Sequence, residues 1–329
     1  MVGIALYIVF FLTVVSIYAI IVMGLNLQWG YTGLFNAGVV GFFAIGAYGT
    51  AILSGPDNVR LIGGFELPYF IGVIGGILIA AAAGLIVALA TLKLREEYLA
   101  IATFGISISI QLVALNFASL TGGANGLVGL PRPFYQFFTE PSVYSVFFLC
   151  LVLVFAAVVY VALERAVRSP WGRVLRAIRE DVTAARSLGK NPTMIRLQSF
   201  VLGSAIMGLA GGLYVGFIGF VSPIDFLPIL TFQIWAMLIV GGSGNNRGAV
   251  LGCLIVWGLW TASGYVISNL VPPGFQSRAG ALQAMLIGSV IVLTLLFRPR
   301  GLIGEEDVIS THAGAPATPA LQADAAEKG

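Results

Sequence analysis

Few side chains in this sequence could carry out covalent or metal chemistry. The 329 residues include one histidine, His312, and two cysteines, Cys150 and Cys253. Both cysteines lie in apolar runs, where a thiol usually serves as a small hydrophobic group. Neither their number nor their spacing indicates a disulfide framework or a metal site. We therefore predict no catalytic residue, no metal ion and no cofactor, and the remaining candidates are polar side chains that could contact a solute.

The most suggestive polar side chains form a stripe along the apolar run 98–118. Thr103, Ser107 and Gln111 recur at every fourth residue and therefore share one face of a helix. Serine and threonine often bond to the preceding turn of their own helix, so a purely internal role is one interpretation. The amide of Gln111 needs a partner if hydrocarbon surrounds it. The other interpretation is a pathway for a polar solute.

Charged side chains are excluded from the middle of the apolar runs, and Asp225 lies at the outer boundary of one. Carboxylates inside membrane helices are the usual groups that couple transport to protons or ions. Their absence from the sequence disfavours an ion-driven transporter. Basic residues interleaved with base-stacking groups are also missing, which disfavours nucleic-acid binding.

The composition indicates that most of the surface faces lipid. The chain is 58% hydrophobic and 9% charged, whereas about a quarter of the residues in a soluble domain are charged. Hydropathy identifies nine apolar runs. They lie at 3–26, 32–54, 68–92, 98–118, 143–163, 197–220, 225–241, 248–269 and 280–297. Because only helices pair all their own backbone groups in hydrocarbon, we predict an all-α, polytopic membrane bundle of about nine transmembrane helices.

The first run does not have the character of a cleaved signal peptide. It lacks a basic segment before it and is too long, so we expect it to remain as a membrane span. We predict a transmembrane permease domain over 1–303. The composition of 304–329 predicts a disordered cytoplasmic tail.

The basic residues predict the orientation of the bundle. Segment 164–196 holds eight of the seventeen Lys and Arg residues, and positively charged loops stay in the cytoplasm. If successive spans cross in opposite directions from that segment, thirteen basic residues lie on the cytoplasmic side. Only Arg60, Arg132 and Arg278 then lie outside. The N-terminus is then outside and the C-terminus inside. A re-entrant 225–241 run would move Arg298 and Arg300 outside, which favours nine true spans.

Small residues are concentrated in two of the runs. The segment around 32–54 has glycines at 30, 33, 38, 41, 46 and 49. It could form a continuous, closely packed helix or a broken helix that lines a pathway. In the run 197–220 small residues recur at every fourth position, and this spacing predicts a helix–helix contact surface. These residues are Ser204, Gly208, Gly212 and Gly216.

Segment 164–196 also predicts a short amphipathic helix between two spans. Ser169 followed by Pro170 is typical of a helix start. Apolar residues recur at helical spacing as far as Leu188, and Gly189 is a suitable stop. The helix 170–188 could lie on anionic lipid headgroups or could dock a soluble partner.

A motif at the end of this helix favours the soluble partner. Residues 180–189, EDVTAARSLG, resemble the Glu-Ala-Ala…Gly coupling motif of bacterial ABC importer permeases. Other segments occur in a matching order: GYTGLFNAGVVGFFAIGAY (30–48), LREEYLAIATFG (94–105), SLTGGANGLVGLPRP (119–133), GLAGGLYVGFIGFVSP (208–223) and LIVGGSGNNRGAVLG (238–252). From about 25 to 302 the chain resembles the LivM-like permeases of branched-chain amino acid ABC importers.

The resemblance implies a non-catalytic subunit of an ATP-driven importer in the bacterial inner membrane. The implied partners are a second homologous permease subunit, two cytoplasmic ATP-binding subunits, a periplasmic solute-binding protein and an amino-acid substrate. The sequence itself has no Gly-x4-Gly-Lys-Ser/Thr loop for nucleotide phosphates. The implied ATPase-coupling residues are Glu180, Asp181, Ala184, Ala185, Leu188 and Gly189. Together with the polar stripe, the resemblance predicts a pathway lined by Asn36, Tyr48, Thr103, Ser107 and Gln111.

Two departures from the family pattern leave the substrate open. Family members often have Ser and His where this chain has Asn36 and Val39, and Glu and Arg where it has Ile108 and Gln111. A permease for urea or short amides is therefore an alternative. A stand-alone secondary transporter or channel is the alternative from a different class.

Overall fold

The computed structural model describes residues 2–57, 62–270 and 279–305. Most of these residues are helical, as hydrocarbon requires of an apolar chain. The α-helices are α1 (Val2–Asn26), α2 (Val39–Ser54), α3 (Tyr69–Thr91), α4 (Glu96–Asn116), α5 (Ala118–Thr121), α6 (Pro141–Arg168), α7 (Pro170–Glu180), α8 (Val182–Ser187), α9 (Pro192–Ile218), α10 (Pro228–Gly241), α11 (Asn246–Leu270) and α12 (Ala279–Phe297). Two short strands, β1 (Leu127–Val128) and β2 (Phe220–Val221), pair antiparallel.

Seven helices in the described part of the chain are long and apolar enough to span a membrane. They are α1 with the turn after it, α3, α4, α6, α9, α11 and α12. The apolar helices α2 and α10 are shorter, with 16 and 14 residues. At about 1.5 Å per residue, the 14 residues of α10 extend over roughly 21 Å, less than the roughly 30 Å hydrocarbon core. The structure thus supports a multi-pass membrane protein, and the count of nine spans stays a prediction.

The glycine-rich segment after α1 is a broken helix. α1 continues into a π-helical turn, Leu27–Tyr31, and the chain is then non-helical until α2 begins at Val39. Gly33 has φ +75°, a left-handed conformation that glycine adopts without steric cost. The predicted run 32–54 is therefore helical only from Val39. We call residues 32–38 the helix break, and all of them are buried or half-buried.

The predicted helix 170–188 is in fact two helices, and this part of the prediction was wrong. α7 ends at Glu180, and Asp181 has an extended backbone with φ −150°. The Asp181 carboxylate accepts hydrogen bonds from the amides of Thr183 (2.7 Å) and Ala184 (3.0 Å). Aspartate competes with helix continuation in this way because its short side chain satisfies nearby backbone donors. The predicted start is confirmed, since Ser169 caps α7.

The interior of the bundle is the region where α2, α3 and α9 approach one another. A Cβ on Gly46 of α2 would lie only 2.3 Å from the Cα of Gly208 of α9. Small residues permit this approach because no side chain keeps the helix axes apart. The predicted small-residue face of α9 lies along α3 in antiparallel register. Its pairs are Ser204 with Gly84, Gly208 with Ala80, Gly212 with Val73 and Gly216 with Tyr69.

The loops and helix ends lie at two opposite ends of the bundle. Near the start of α9, Trp171 of α7 donates to Gln198 (3.0 Å), so α7 and α8 lie at that end. At the other end of α9, Arg132 donates to the carbonyl of Ile218 (2.9 Å). The many basic residues of 164–196 are thus separated from Arg132, in agreement with the positive-inside rule. The orientation itself stays a prediction, and Arg60 and Arg278 lie outside the described residues.

The predicted tail begins with two residues that are held in place. The carbonyl of Gly304 accepts a hydrogen bond from the Asn245 amide (3.0 Å). Glu305 forms an ion pair with Arg179 (2.7 Å). The rest of the predicted tail, from 306, lies outside the described residues, as do His312 and Lys328.

Candidate translocation and coupling site

The helix break is held by buried amide side chains. Asn36 is fully buried, and its amide donates to the side-chain oxygen of Gln28 (2.8 Å). The Asn36 side-chain oxygen accepts from the amide of Gly38 (2.8 Å), and its backbone carbonyl accepts from the Trp235 indole (3.2 Å). Gln28 in turn donates to the carbonyl of Phe200 on α9 (2.8 Å). Asn36 thus satisfies buried backbone groups that the missing helix turn leaves open.

Part of the predicted polar stripe packs against this break. The Thr103 hydroxyl donates to the carbonyl of Leu99 (2.9 Å) and accepts from the amide of Ala37 (3.0 Å). Ser107 is also buried, and a Cβ on Gly41 of α2 would lie 3.0 Å from its Cα. The face of α4 that carries the stripe is therefore the face that contacts α2 and the break.

The other two predicted pathway residues lie around the turn Pro223–Phe226. Gln111 donates to the carbonyl of Pro223 (3.3 Å), which gives its amide the partner that burial requires. The ring of Tyr48 lies 5.8 Å from that of Phe226, centroid to centroid. The Tyr48 hydroxyl is buried and has no hydrogen-bond partner among the described residues. The five predicted residues thus form two groups, one at the break and one at this turn.

An apolar cavity of about 560 Å³ lies beside the break and is open on one side, where Ile101 is 70% exposed and Phe232 is 51% exposed. The rings of Phe35 and Trp235 stack with centroids 4.3 Å apart, and Trp29 contacts both edge-on. The cavity is lined by Trp29, Phe35, Ala37, Ala100, Ile101, Phe104, Thr231, Phe232, Trp235, Ile239, Ser243, Ile291, Leu295 and Pro299. Among the described lining residues, Thr231 and Ser243 alone have side-chain hydroxyls and none is charged, so the cavity suits an aliphatic group.

Sequence reasoning missed this aromatic cluster. Trp29 and Phe35 are close in the chain, but Trp235 is about two hundred positions away and belongs to the short helix α10. Aromatic residues are frequent in apolar runs, so their presence alone gave no signal. Phe35 stacks on Trp235 from within the helix break, after the helix has ended at Tyr31. Hydropathy does not reveal where a helix breaks inside an apolar run.

The helix α7 packs directly under the helix break. Leu175 and Ile178 are fully buried. The Arg179 guanidinium donates to the carbonyl of Gly30 and pairs with the Glu305 carboxylate. A Cβ on Gly33 would lie 3.1 Å from the Cγ of Arg179. α7 is therefore in direct contact with the turn that follows α1 and with the helix break.

Five of the six predicted coupling residues are exposed beside this contact. Ala185 is the exception, with 3% of its surface exposed. Leu188 is 78% exposed, a large apolar side chain at the end of α8. The exposed residues are Glu180, Asp181, Ala184, Leu188 and Gly189. Ala185 therefore packs against the protein, and the other five residues are accessible to a partner.

A second set of contacts holds the end of α1 close to the Arg179–Glu305 pair, since a Cβ on Gly244 would lie 3.1 Å from the Glu305 carboxyl group. Asn26 accepts from the amide of Gly244 (2.8 Å) and donates to the Asn246 side chain (3.0 Å). Asn246 donates to the Glu164 carboxylate of α6 (3.2 Å). The glycine-rich turn 241–248 therefore anchors α1 to α6. Among the described residues no group of three or more His, Cys, Asp or Glu side chains could hold a metal ion.

These features define the class of the protein. Long apolar helices surround a buried, polar helix break, and an amphipathic segment contacts that break from one end of the bundle. The molecule is a multi-pass integral membrane protein.

Comparison with known proteins gives its family. A family model described as the permease component of the branched-chain amino acid transport system matches residues 7–295, and the chain belongs to this family. The high-affinity branched-chain amino acid transport permease LivM of Salmonella typhimurium is 31% identical over 312 residues, covering 88% of this chain and 68% of the relative. The probable LivM of Methanocaldococcus jannaschii is 29% identical over 325 residues, covering 90% and 92%. The resemblance predicted from sequence is confirmed.

A second type of permease in the same transport system is also similar. LivH of Escherichia coli is 28% identical over 309 residues, covering 90% of this chain and 94% of the relative. No solved structure matches the chain significantly.

Proposed function

We propose that this chain is the membrane permease subunit of an ATP-driven importer for branched-chain amino acids. The observation that carries the proposal is the contact between α7 and the helix break. It connects an exposed segment, Glu180–Gly189, to the buried polar interior. The relatives, which are named as branched-chain amino acid permeases, support the same substrate class.

The proposed assembly contains this chain and a homologous permease, as the existence of LivM and LivH relatives suggests. Two cytoplasmic ATP-binding subunits dock on α7 and α8, and a periplasmic solute-binding protein delivers the amino acid from outside. The location is the bacterial cytoplasmic membrane, with nine spans, the N-terminus outside and the C-terminus inside.

The proposed mechanism is alternating access. Closure of the ATP-binding subunits displaces α7 and α8, and α7 moves the end of α1 and the helix break. The small-residue face of α9 allows α2 and α3 to shift without large side chains blocking them. Asn36, Thr103 and Ser107 at the break, and Tyr48 and Gln111 at the outer turn, then line successive parts of the pathway.

The cavity beside the break favours a branched-chain amino acid over urea. Its walls are aromatic and aliphatic and its volume is about 560 Å³. An aliphatic side chain gains about 25 cal/mol for each Å² of apolar surface that leaves water, whereas urea has no such surface to bury. Urea therefore gains less from this cavity than a branched aliphatic side chain does.

Transport by the reconstituted assembly tests the proposal. The chain is placed in proteoliposomes with its partner permease, ATP-binding subunits and loaded solute-binding protein, and uptake of radiolabelled leucine, isoleucine, valine, urea and acetamide is measured. We expect uptake of the three amino acids that requires ATP and resists ionophores. Uptake without the ATP-binding subunits that follows an ion gradient would establish a secondary transporter instead. Uptake of urea or acetamide alone would establish the amide permease.

A further inference from the structure

Arg179 donates to a backbone carbonyl in the π-helical turn Leu27–Tyr31, which continues α1. The last carbonyl groups of a helix have no partner within the helix and must find one elsewhere. The carbonyl of Gln28 accepts from the amide of Leu34 (2.7 Å) and that of Trp29 from the amide of Gly33 (2.9 Å). The carbonyl of Gly30 accepts from the Arg179 guanidinium.

A guanidinium is well suited to this position. The carbonyl end of a helix carries partial negative charge, and a cation near it is stabilising. The planar group also donates in two directions at once. The second direction is used by Glu305, 2.7 Å away, in the segment that follows α12. Arg179 and Glu305 are only 25% and 29% exposed, so solvent screens this pair less than a surface pair.

The other arginines of α7 do not make this connection. Arg176 donates to the carbonyl of Val167 on the preceding helix α6 (3.4 Å). Arg173 is exposed. Arg179 therefore joins α7 to α1 and to the segment after α12, across 149 and 126 positions of sequence.

We propose that Arg179 is the positioning residue that transmits the displacement of α7 to the helix break. This inference rests on the proposed function. While Arg179 holds the carbonyl of Gly30, the end of α1 is capped and residues 32–38 keep their buried arrangement. When closure of the ATP-binding subunits displaces α7, Arg179 moves the carbonyl of Gly30 with it, and the break rearranges. Glu305 makes the segment after α12 follow the same movement.

The test is the ratio of amino acid transported to ATP hydrolysed in the reconstituted importer. Arg179→Gln removes the charge but retains a donor, and we expect uptake to fall by about tenfold, as for loss of a charge-assisted bond. ATP hydrolysis and assembly with the ATP-binding subunits should stay near wild-type levels. Arg179→Lys keeps the charge but loses the planar geometry, so it should show an intermediate ratio. Glu305→Gln should show a smaller decrease in the same direction.

The matched control is Arg95→Gln, which removes an exposed arginine just before α4, outside the α7 and α8 docking segment, and should leave the ratio unchanged. A wild-type ratio in Arg179→Gln would overturn the inference. If that variant does not assemble, the ratios of Arg179→Lys and Glu305→Gln decide the question, and wild-type values in both would overturn it. Absence of ATP-dependent uptake in the wild-type assembly would refute the proposed function instead.

Discussion

Gly189 ends the coupling segment in a conformation that other residues disfavour. Its φ is +73°, and no atom lies within 4 Å of where a Cβ would be. Space is therefore available, and a substitution acts through backbone strain of about 1–2 kcal/mol. We predict that Gly189→Val reduces uptake several-fold, whereas Gly189→Asn, which tolerates this conformation better, retains most of it. The comparison is measured as amino-acid uptake at equal membrane content. Equal losses in both variants would show that strain is not the cause.

Asp181 has two candidate roles, capping α8 and contacting an ATP-binding subunit, and two substitutions can distinguish them. Its carboxylate caps α8, and it is also exposed where an ATP-binding subunit would dock. Asp181→Ala removes the cap at a cost of about 1 kcal/mol, whereas Asp181→Asn removes the charge and keeps the cap. If capping is the role, Asn should preserve uptake and Ala should reduce it. If the ATP-binding subunit recognises the charge, both substitutions reduce uptake alike.

At the scale of elements, the contact of α9 with α2 and α3 depends on the absence of side chains. A Cβ on Gly208 would lie 2.5 Å from the Cβ of Ala80. We predict that Gly208→Leu destabilises the folded protein by about 1–3 kcal/mol or more, because the three helices must separate. The control is Gly105→Leu, since Gly105 on α4 is exposed and no atom lies within 4 Å of its Cβ position. Thermal unfolding in detergent should show a lower midpoint for Gly208→Leu alone. An unchanged midpoint would mean that the close approach contributes little.

At the scale of the whole molecule, the basic residues predict which end of the bundle faces the cytoplasm. Single cysteines in a variant with Cys150 and Cys253 replaced test this with a membrane-impermeant maleimide. We predict that Gln136→Cys reacts in intact cells, because it lies in the loop before α6 at the end opposite α7. Lys190→Cys and Arg300→Cys, both at exposed positions, should react only after permeabilisation. Reaction of Arg300→Cys in intact cells would show that α10 re-enters and does not cross. If all three cysteines showed the opposite reactivity, the bundle would have the reverse of the predicted orientation.

Local sequence patterns determined most of the helices of this protein. The apolar runs became helices because hydrocarbon leaves a chain no other way to pair its backbone. Ser169 and Gly189 marked the ends of the coupling segment because capping depends on a few neighbouring residues. The spacing of Gly208 and Gly212 placed them on one face, and that face lies against α3.

Tertiary structure alone decided how these elements connect. Helical periodicity continues across Asp181 and predicted one helix, which was wrong because the Asp181 side chain caps the next helix instead. The glycines around the break fitted a continuous helix equally well, until contacts from Thr103 and Trp235 compensated the lost helical bonds. In the sequence, Arg179 is simply one of the eight basic residues of segment 164–196. Its role at the end of α1 depends on Gly30, 149 positions away, and no local pattern contains a contact between such distant residues.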